Sequence, residues 1–93
     1  MWDWDEPKRQ ANLAKHGVDF ADVIDFDLSS AVVELDSRND YGEVRETALG
    51  LIGPRVHHLT FTKRGGLIRV ISLRKANTRE QMRWVVSRKS GQT

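Results

Sequence analysis

Apolar residues recur along this chain with two periods, and the switches between them mark its elements. Near the start they are sparse. Lys8–His16 carries only Ala11 and Ala14, with Leu13 to one side, a thin stripe that predicts a surface helix. Asp5 is placed to cap it, with Glu6 and Pro7 in a first turn that favours negative charge and tolerates a missing N–H. Gly17 ends it directly after Lys15 and His16. Trp2 and Trp4 precede this helix and are expected to pin the N-terminus to the core. Asp19 opens a shorter helix, Phe20 to about Asp25, with Phe20, Val23 and Ile24 at helical spacing and so expected to point inward.

The pattern then changes to strands. Ala31–Leu35, Val44–Ile52, Arg55–Lys63 and Leu67–Arg74 are predicted strands, the last three joined at Gly53-Pro54 and Gly65-Gly66. Asp36–Glu43 is a polar loop, long for a hairpin and expected to be mobile. Leu67–Leu73 is rich in branched apolar residues, interrupted by Arg69 and Ser72, the profile of an inner strand. Asn77 or Thr78 next caps a helix reaching about Lys89. Both have a capping-box partner three residues on, Glu80 and Gln81. Met82, Val85 and Val86 form its expected buried stripe, and 90–93 are expected to be a flexible tail. The order predicts one α+β domain over 1–93: N-terminal helices, a four-stranded antiparallel meander and a C-terminal helix.

Two-residue loops at both turns would set the register. Arg45 then lies opposite Thr62 and Thr62 opposite Arg69, followed by the rows Thr47–Thr60–Ile71 and Leu49–His58–Leu73. The other face carries Ala48, Leu59, Phe61, Ile68, Val70 and Ser72, because side chains alternate with period two. That second, apolar face is expected to take most of the helices. The first is a basic shelf where a ligand would sit.

Length and composition narrow the reading. Ninety-three residues have room for one core. With no cysteine there is neither a disulfide framework nor a thiolate zinc site. No apolar run reaches transmembrane length, and Met-Trp-Asp-Trp-Asp-Glu lacks the features of a signal peptide, so a cytoplasmic protein is expected. The net charge of +2 hides an asymmetry: residues 1–50 hold five basic and twelve acidic side chains, residues 51–93 ten and one. Such a split is a footprint of nucleic-acid binding, or of two halves attracting each other. Arg69 inside an apolar strand needs a partner, because an unpaired buried charge is costly. A nucleic-acid phosphate is the partner this pattern favours.

Several stretches together resemble the BrnT toxins. Trp4-Asp5-Glu6-Pro7-Lys8, followed by Asn12-Leu13-Ala14-Lys15-His16-Gly17-Val18-Asp19-Phe20, is similar to their opening. Glu43-Val44-Arg45-Glu46-Thr47-Ala48-Leu49-Gly50 is similar to their second-strand segment. Arg69-Val70-Ile71-Ser72-Leu73-Arg74-Lys75-Ala76, leading to Thr78-Arg79-Glu80, is similar to their strand-to-helix signature. The combination spans nearly the whole chain. It implies a RelE-like fold and an RNA-cleaving growth inhibitor of a type II toxin–antitoxin pair. It also implies a tightly bound antitoxin of the ribbon–helix–helix, BrnA-like type, which makes most of the pair's contacts to promoter DNA. The chain departs from the pattern at His57-His58, in a strand otherwise mostly apolar in such relatives.

RNA cleavage without a metal uses the substrate's own 2′-hydroxyl against the adjacent phosphate. The protein must supply a base, an acid, and cations for the crowded phosphate. Arg69 and Arg45 are the expected clamp on the scissile phosphate, unless they pair with acids such as Glu46 or Asp36. Arg74, Lys75, Arg79 and Arg83 form either an RNA backbone track, with Arg74 or Arg79 on the phosphate next to the scissile one, or a docking face for an acidic antitoxin segment. His58 is a candidate base or acid, or a structural strand histidine. Lys15 and His16 suffice as cations on a helix C-terminus, and the resemblance adds RNA binding. Trp84 falls opposite the Met82–Val86 stripe and is expected to be exposed, as an antitoxin anchor or base-stacking platform, unless it packs on Trp2 and Trp4. The histidines lack zinc spacing and no carboxylate cluster points to magnesium, so no metal or cofactor is expected. A non-catalytic RNA- or DNA-binding module remains the alternative to the enzyme.

Overall fold

In the computed structural model, which describes residues 1–36 and 42–90, five strands form a single mixed sheet. Their ranges are β1 (Trp2–Trp4), β2 (Val32–Asp36), β3 (Arg45–Ile52), β4 (Arg55–Arg64) and β5 (Leu67–Lys75). The spatial order is β1-β5-β4-β3-β2. The four expected strands are therefore present as an antiparallel meander, β2 to β5. The expectation of only four strands is corrected by β1, which runs parallel to β5 with Trp2 beside Ile68 and Trp4 beside Val70. The alternation Trp2-Asp3-Trp4 is its signal: both indoles pack against the core and Asp3 faces the other way. The loop expected over Asp36–Glu43 falls largely on 37–41, outside the described residues, as do 91–93 of the expected tail.

Both hairpins close with two-residue loops, between Ile52 and Arg55 and between Arg64 and Leu67. Gly65 and Gly66 both have positive φ (51° and 84°), as a type I′ turn requires, so only glycine is comfortable at both. Thr47 lies opposite Thr60, Leu49 opposite His58, and Thr62 opposite Arg69, as the pattern predicts. Beyond Arg69 the prediction slips. Phe61 pairs with Val70 but Thr60 pairs with Ser72, leaving Ile71 as an extra residue in β5. Every later residue of β5 changes face. Leu73 joins Leu59 in the core, and Ser72 and Arg74 join Thr60 and His58 on the opposite face.

The main core lies on the face bearing Ala48, Leu59, Phe61, Val70 and Leu73, covered by Val18, Phe20, Val23 and Phe26. Helix α1 (Glu6–His16) starts at Asp5, whose carboxylate accepts the Lys8 N–H, and ends at Gly17, as expected. The following segment, Phe20–Asp25, is a 3-10 helix capped by Asp19. Its three-residue turn aligns Phe20, Val23 and Phe26, which are buried, and leaves Ile24 72% exposed, contrary to the α-helical reading. Phe26 lies across Gly50, where an added Cβ would stand 2.6 Å from the ring. A second 3-10 turn, Leu28–Ser30, leads into β2.

Helix α2 (Thr78–Ser90) packs on the other face, against β3 and β4. Its inward residues are Glu80, Gln81, Trp84 and Val85; of the expected Met82–Val85–Val86 stripe only Val85 turns inward. The polar contacts of its first turn decide this rotation, because Gln81 donates to Ala76 O (3.3 Å) and Glu80 engages Arg74. The Trp84 indole N–H donates to Ser30 O at 3.1 Å, and its ring packs on the cluster of Leu49, Val56 and Ala76. The expectation of an outward-facing Trp84 is thus corrected: this residue ties α2 to the sheet.

Asn12 joins α1 to β5. Its amide N–H groups donate to Val18 O (3.0 Å) and Leu73 O (2.7 Å), and its oxygen accepts from Leu73 N (3.2 Å). It satisfies the edge of β5 just past the end of β1. Asn12→Ala would leave these buried backbone groups unsatisfied and is expected to cost about 2–4 kcal/mol. Chemical denaturation of the two proteins measures this, and a loss under about 0.5 kcal/mol would contradict the role.

Candidate functional site

The face opposite the main core holds a cleft of about 320 Å³ lined by Lys15, His16, Asp36, Arg45, His58, Thr60, Ile71, Ser72 and Arg74. A smaller hollow of about 240 Å³ shares Asp36, His58 and Arg74 with it and adds Glu34, Thr47, Glu80 and Arg83. Each element brings something to this place. β4 supplies His58 and Thr60, the slipped end of β5 supplies Ser72 and Arg74, and β3 supplies Arg45 and Thr47. The C-terminal end of α1, fixed by Asn12, supplies Lys15 and His16. The first turn of α2 forms the opposite wall.

Glu80 is the electrostatic hinge of the site. It completes the capping box, accepting from Asn77 N (2.9 Å) while Asn77 Oδ1 accepts from Glu80 N (2.8 Å). Both its oxygens also take the Arg74 guanidinium, at 2.8 and 2.9 Å, a two-pronged charged contact. His58 Nε2 lies 4.0 Å from the same carboxylate. Arg74 first, then the Asn77 N–H and the charges nearby, outweigh burial and hold the Glu80 carboxyl down from 4.5 to about 2. Across the cleft, burial lowers the pKa of His16, and the neighbouring Lys15 and Arg74 charges lower it further.

Of the residues read from sequence, Lys15, His16, Arg45, His58 and Arg74 meet in the cleft. Arg45 lies 3.6 Å from Glu43 at one end. Arg83 lines the adjoining hollow and pairs with Glu34. Arg69 is on the same sheet face but outside the lining; its partner is Asp3 of β1, at 2.6 Å. The charge inside the strand is thus met by a carboxylate on the strand that the hydrophobic pattern concealed, and no phosphate is needed for that purpose. Lys75 and Arg79 are exposed, with Arg79 on the outer flank of α2. Sequence reasoning treated Glu80 only as a cap and placed Ser72 on the apolar face, whereas Thr47 and Thr60, assigned to the ligand shelf, do line the site. The signal for Glu80 was available: it is the only acid in residues 51–93, six positions from Arg74.

Among the described residues no three or more His, Cys, Asp or Glu side chains gather as a metal-holding group. No helix among them is long and apolar enough to cross a membrane. A small α+β domain with cations and histidines collected on an open sheet face carries the electrostatic footprint of nucleic-acid binding. Its residues 4–80 match the family model described as "Ribonuclease toxin, BrnT, of type II toxin-antitoxin system". The chain belongs to this family, and an antitoxin is accordingly its partner. A comparison with curated proteins found no match.

The Glu80 contacts make stability depend on acid. A carboxyl whose folded pKa is depressed contributes stability above its unfolded value, here 4.5, and loses it as pH falls toward about 2. Melting temperatures measured from pH 6 to 2.5 should therefore fall, and Glu80→Gln should melt lower at pH 6 but with a flatter decline. Parallel declines in the two proteins would show that Glu80 carries no such linkage.

Proposed function

We infer that the cleft binds single-stranded RNA and cuts it by attack of the 2′-hydroxyl on the adjacent phosphate, without a metal. The carrying observation is the convergence of Arg74, His58 and Glu80 with Arg45, Lys15 and His16 on one face. Arg74 and Arg45 hold the phosphate, and their charge grows in value as negative charge develops on its oxygens. Glu80 takes both terminal nitrogens of Arg74, which fixes the guanidinium in the cleft and leaves its remaining N–H groups for the phosphate.

His16, whose pKa is lowered by burial first and by the Lys15 and Arg74 charges further, takes the proton from the 2′-hydroxyl. The new bond to phosphorus forms as the bond to the 5′-oxygen breaks. His58, with the Glu80 carboxylate as counter-charge, returns a proton to the leaving oxygen. The products are a 2′,3′-cyclic phosphate and a 5′-hydroxyl. Lys75, Arg79 and Arg83 guide the flanking backbone.

In this reading the protein acts in the cytoplasm, stops growth by damaging RNA needed for translation, and is RelE-like in its reliance on positive charge. Its antitoxin is of the ribbon–helix–helix, BrnA-like type and carries the pair to promoter DNA as a hetero-oligomer. The motifs around Lys15-His16-Gly17 and Arg69–Ala76, together with the family match, support these points.

Purified chain and RNA, incubated in EDTA, should give fragments ending in cyclic phosphate. Arg74→Ala should slow cleavage about a hundredfold or more, the size of losing one charge-stabilising donor. His58→Ala should slow it between about a hundredfold and ten-thousandfold. Arg69→Ala, which releases Asp3 but leaves the cleft lining intact, should stay within about tenfold of the parent. An Arg74→Ala protein that folds and cuts at the parental rate would falsify the assignment. RNA binding with no breakage by the parent chain would replace the enzyme by a non-catalytic RNA-binding module.

A further inference from the structure

The rotation of α2 leaves an apolar groove on its outer flank. Val32 of the edge strand β2 faces Met82 and Val86, one helical turn apart, across a space of about 750 Å³ that Glu34, Arg79, Arg83 and Ser87 complete. Met82 is 57% and Val86 55% exposed. Two large apolar side chains at this spacing form the kind of stripe that a second amphipathic element covers. β2 beside them is the last strand of the sheet and has no neighbour on its outer side among the described residues.

We propose that this groove is the docking site for an amphipathic segment of the antitoxin, apolar along one face and flanked by acidic residues. The charge around the groove selects that chemistry. Arg79 and Arg83 edge it, and Arg88 and Lys89 follow on the same helix. A second copy of this chain would bring these cations against their own counterparts. RNA would meet the apolar walls of Val32, Met82 and Val86 with its phosphates. An acidic, apolar peptide matches both features at once.

The position of the groove gives the docked segment a consequence. Glu34 and Arg83 line both the groove and the hollow that holds His58, Arg74 and Glu80. Their ion pair is the partition between the two spaces. A carboxylate of the incoming segment replaces Glu34 on Arg83 and carries the segment across the mouth of the hollow. Neutralisation then follows from blocked access, with no change required in the catalytic groups.

This inference rests on the antitoxin partnership of the family but not on the chemistry assigned to the cleft. The test titrates the toxin with the purified antitoxin of its own gene pair by calorimetry, alongside a separate RNA cleavage assay. Met82→Gln combined with Val86→Gln removes the apolar stripe from an already exposed flank without adding charge beside Arg79 and Arg83, so folding should be preserved, as a melting curve verifies. Antitoxin affinity should fall by about a hundredfold or more, as when central anchors of an interface are lost. Cleavage by the free variant should stay within about threefold of the parent, and the variant should resist neutralisation. Ile24→Glu, also on an exposed apolar residue but in the layer covering the opposite face, should bind as the parent does. Unchanged antitoxin affinity in the double variant overturns the proposal. So does an equal loss of RNA affinity, which would give the groove to the nucleic acid. A parental dimer that the double variant dissolves would give it to a second copy. If the chain cuts no RNA yet loses antitoxin through these two substitutions, the catalytic reading falls and the docking site holds.

Discussion

The extra residue in β5 decides what this sheet can do. Strand side chains alternate strictly, so a regular β5 would have put Leu73 beside His58 and Arg74 in the core. With Ile71 bulged out, Leu73 fills the core against Leu59 and Arg74 emerges beside His58. The chain thereby gains an apolar core residue and a cation on the open face from one local irregularity. Bulges are common where a sheet must re-aim a side chain toward a site. This one is secured by Asn12, which takes both backbone groups of Leu73 immediately after it. The same amide anchors α1, so a single buried side chain sets the position of Arg74 on one side of the cleft and of Lys15 and His16 on another.

Glu80 ties a second pair of requirements together. As half of a capping box it fixes where α2 begins, and as the partner of Arg74 it fixes how that helix sits on the sheet. A helix with so few inward apolar residues gains little from hydrophobic burial alone. Its place is held by directional contacts: Glu80 to Arg74, Gln81 to Ala76 O, and Trp84 to Ser30 O. Those contacts turn Met82 and Val86 outward. The apolar groove is therefore a by-product of the polar contacts that build the cleft, which explains why the two lie side by side and share Glu34 and Arg83.

The charge asymmetry of the chain resolves in the same terms. Part of it is internal neutralisation between the acidic first half and the basic second, as in Asp3 with Arg69, Glu34 with Arg83, Glu43 with Arg64 and Glu46 with Lys63. What is not spent this way is concentrated near the cleft and along α2. Arg69, the most conspicuous charge in the sequence, is paired with Asp3 away from the cleft, and Arg74, five residues later, is paired with Glu80 inside it.

The linear pattern determined α1 with both its caps, the meander β2 to β5, both hairpin turns and the register up to Arg69, because these follow from local rules. Alternation, glycine turns, capping spacing and an apolar core face act over a few residues and leave their mark on the chain. It also brought Lys15, His16, Arg45, His58 and Arg74 forward as candidates, since cations and histidines in an otherwise regular pattern need a reason. The tertiary structure alone decided the rest. Strand β1 exists only because β5 offers it an edge, and three residues carry too short a pattern to declare themselves. The bulge at Ile71 leaves no signature beside an equally apolar Val70, yet it moves Leu73, Ser72 and Arg74 across the sheet. The 3-10 geometry of Phe20–Asp25 differs from an α-helix by a fraction of a residue per turn, enough to bury Phe26 and expose Ile24. The facing of α2 was out of reach for a related reason: contacts distant in sequence, from Arg74 and Ser30, outweighed its own hydrophobic periodicity, and only the folded sheet brings those groups to the helix.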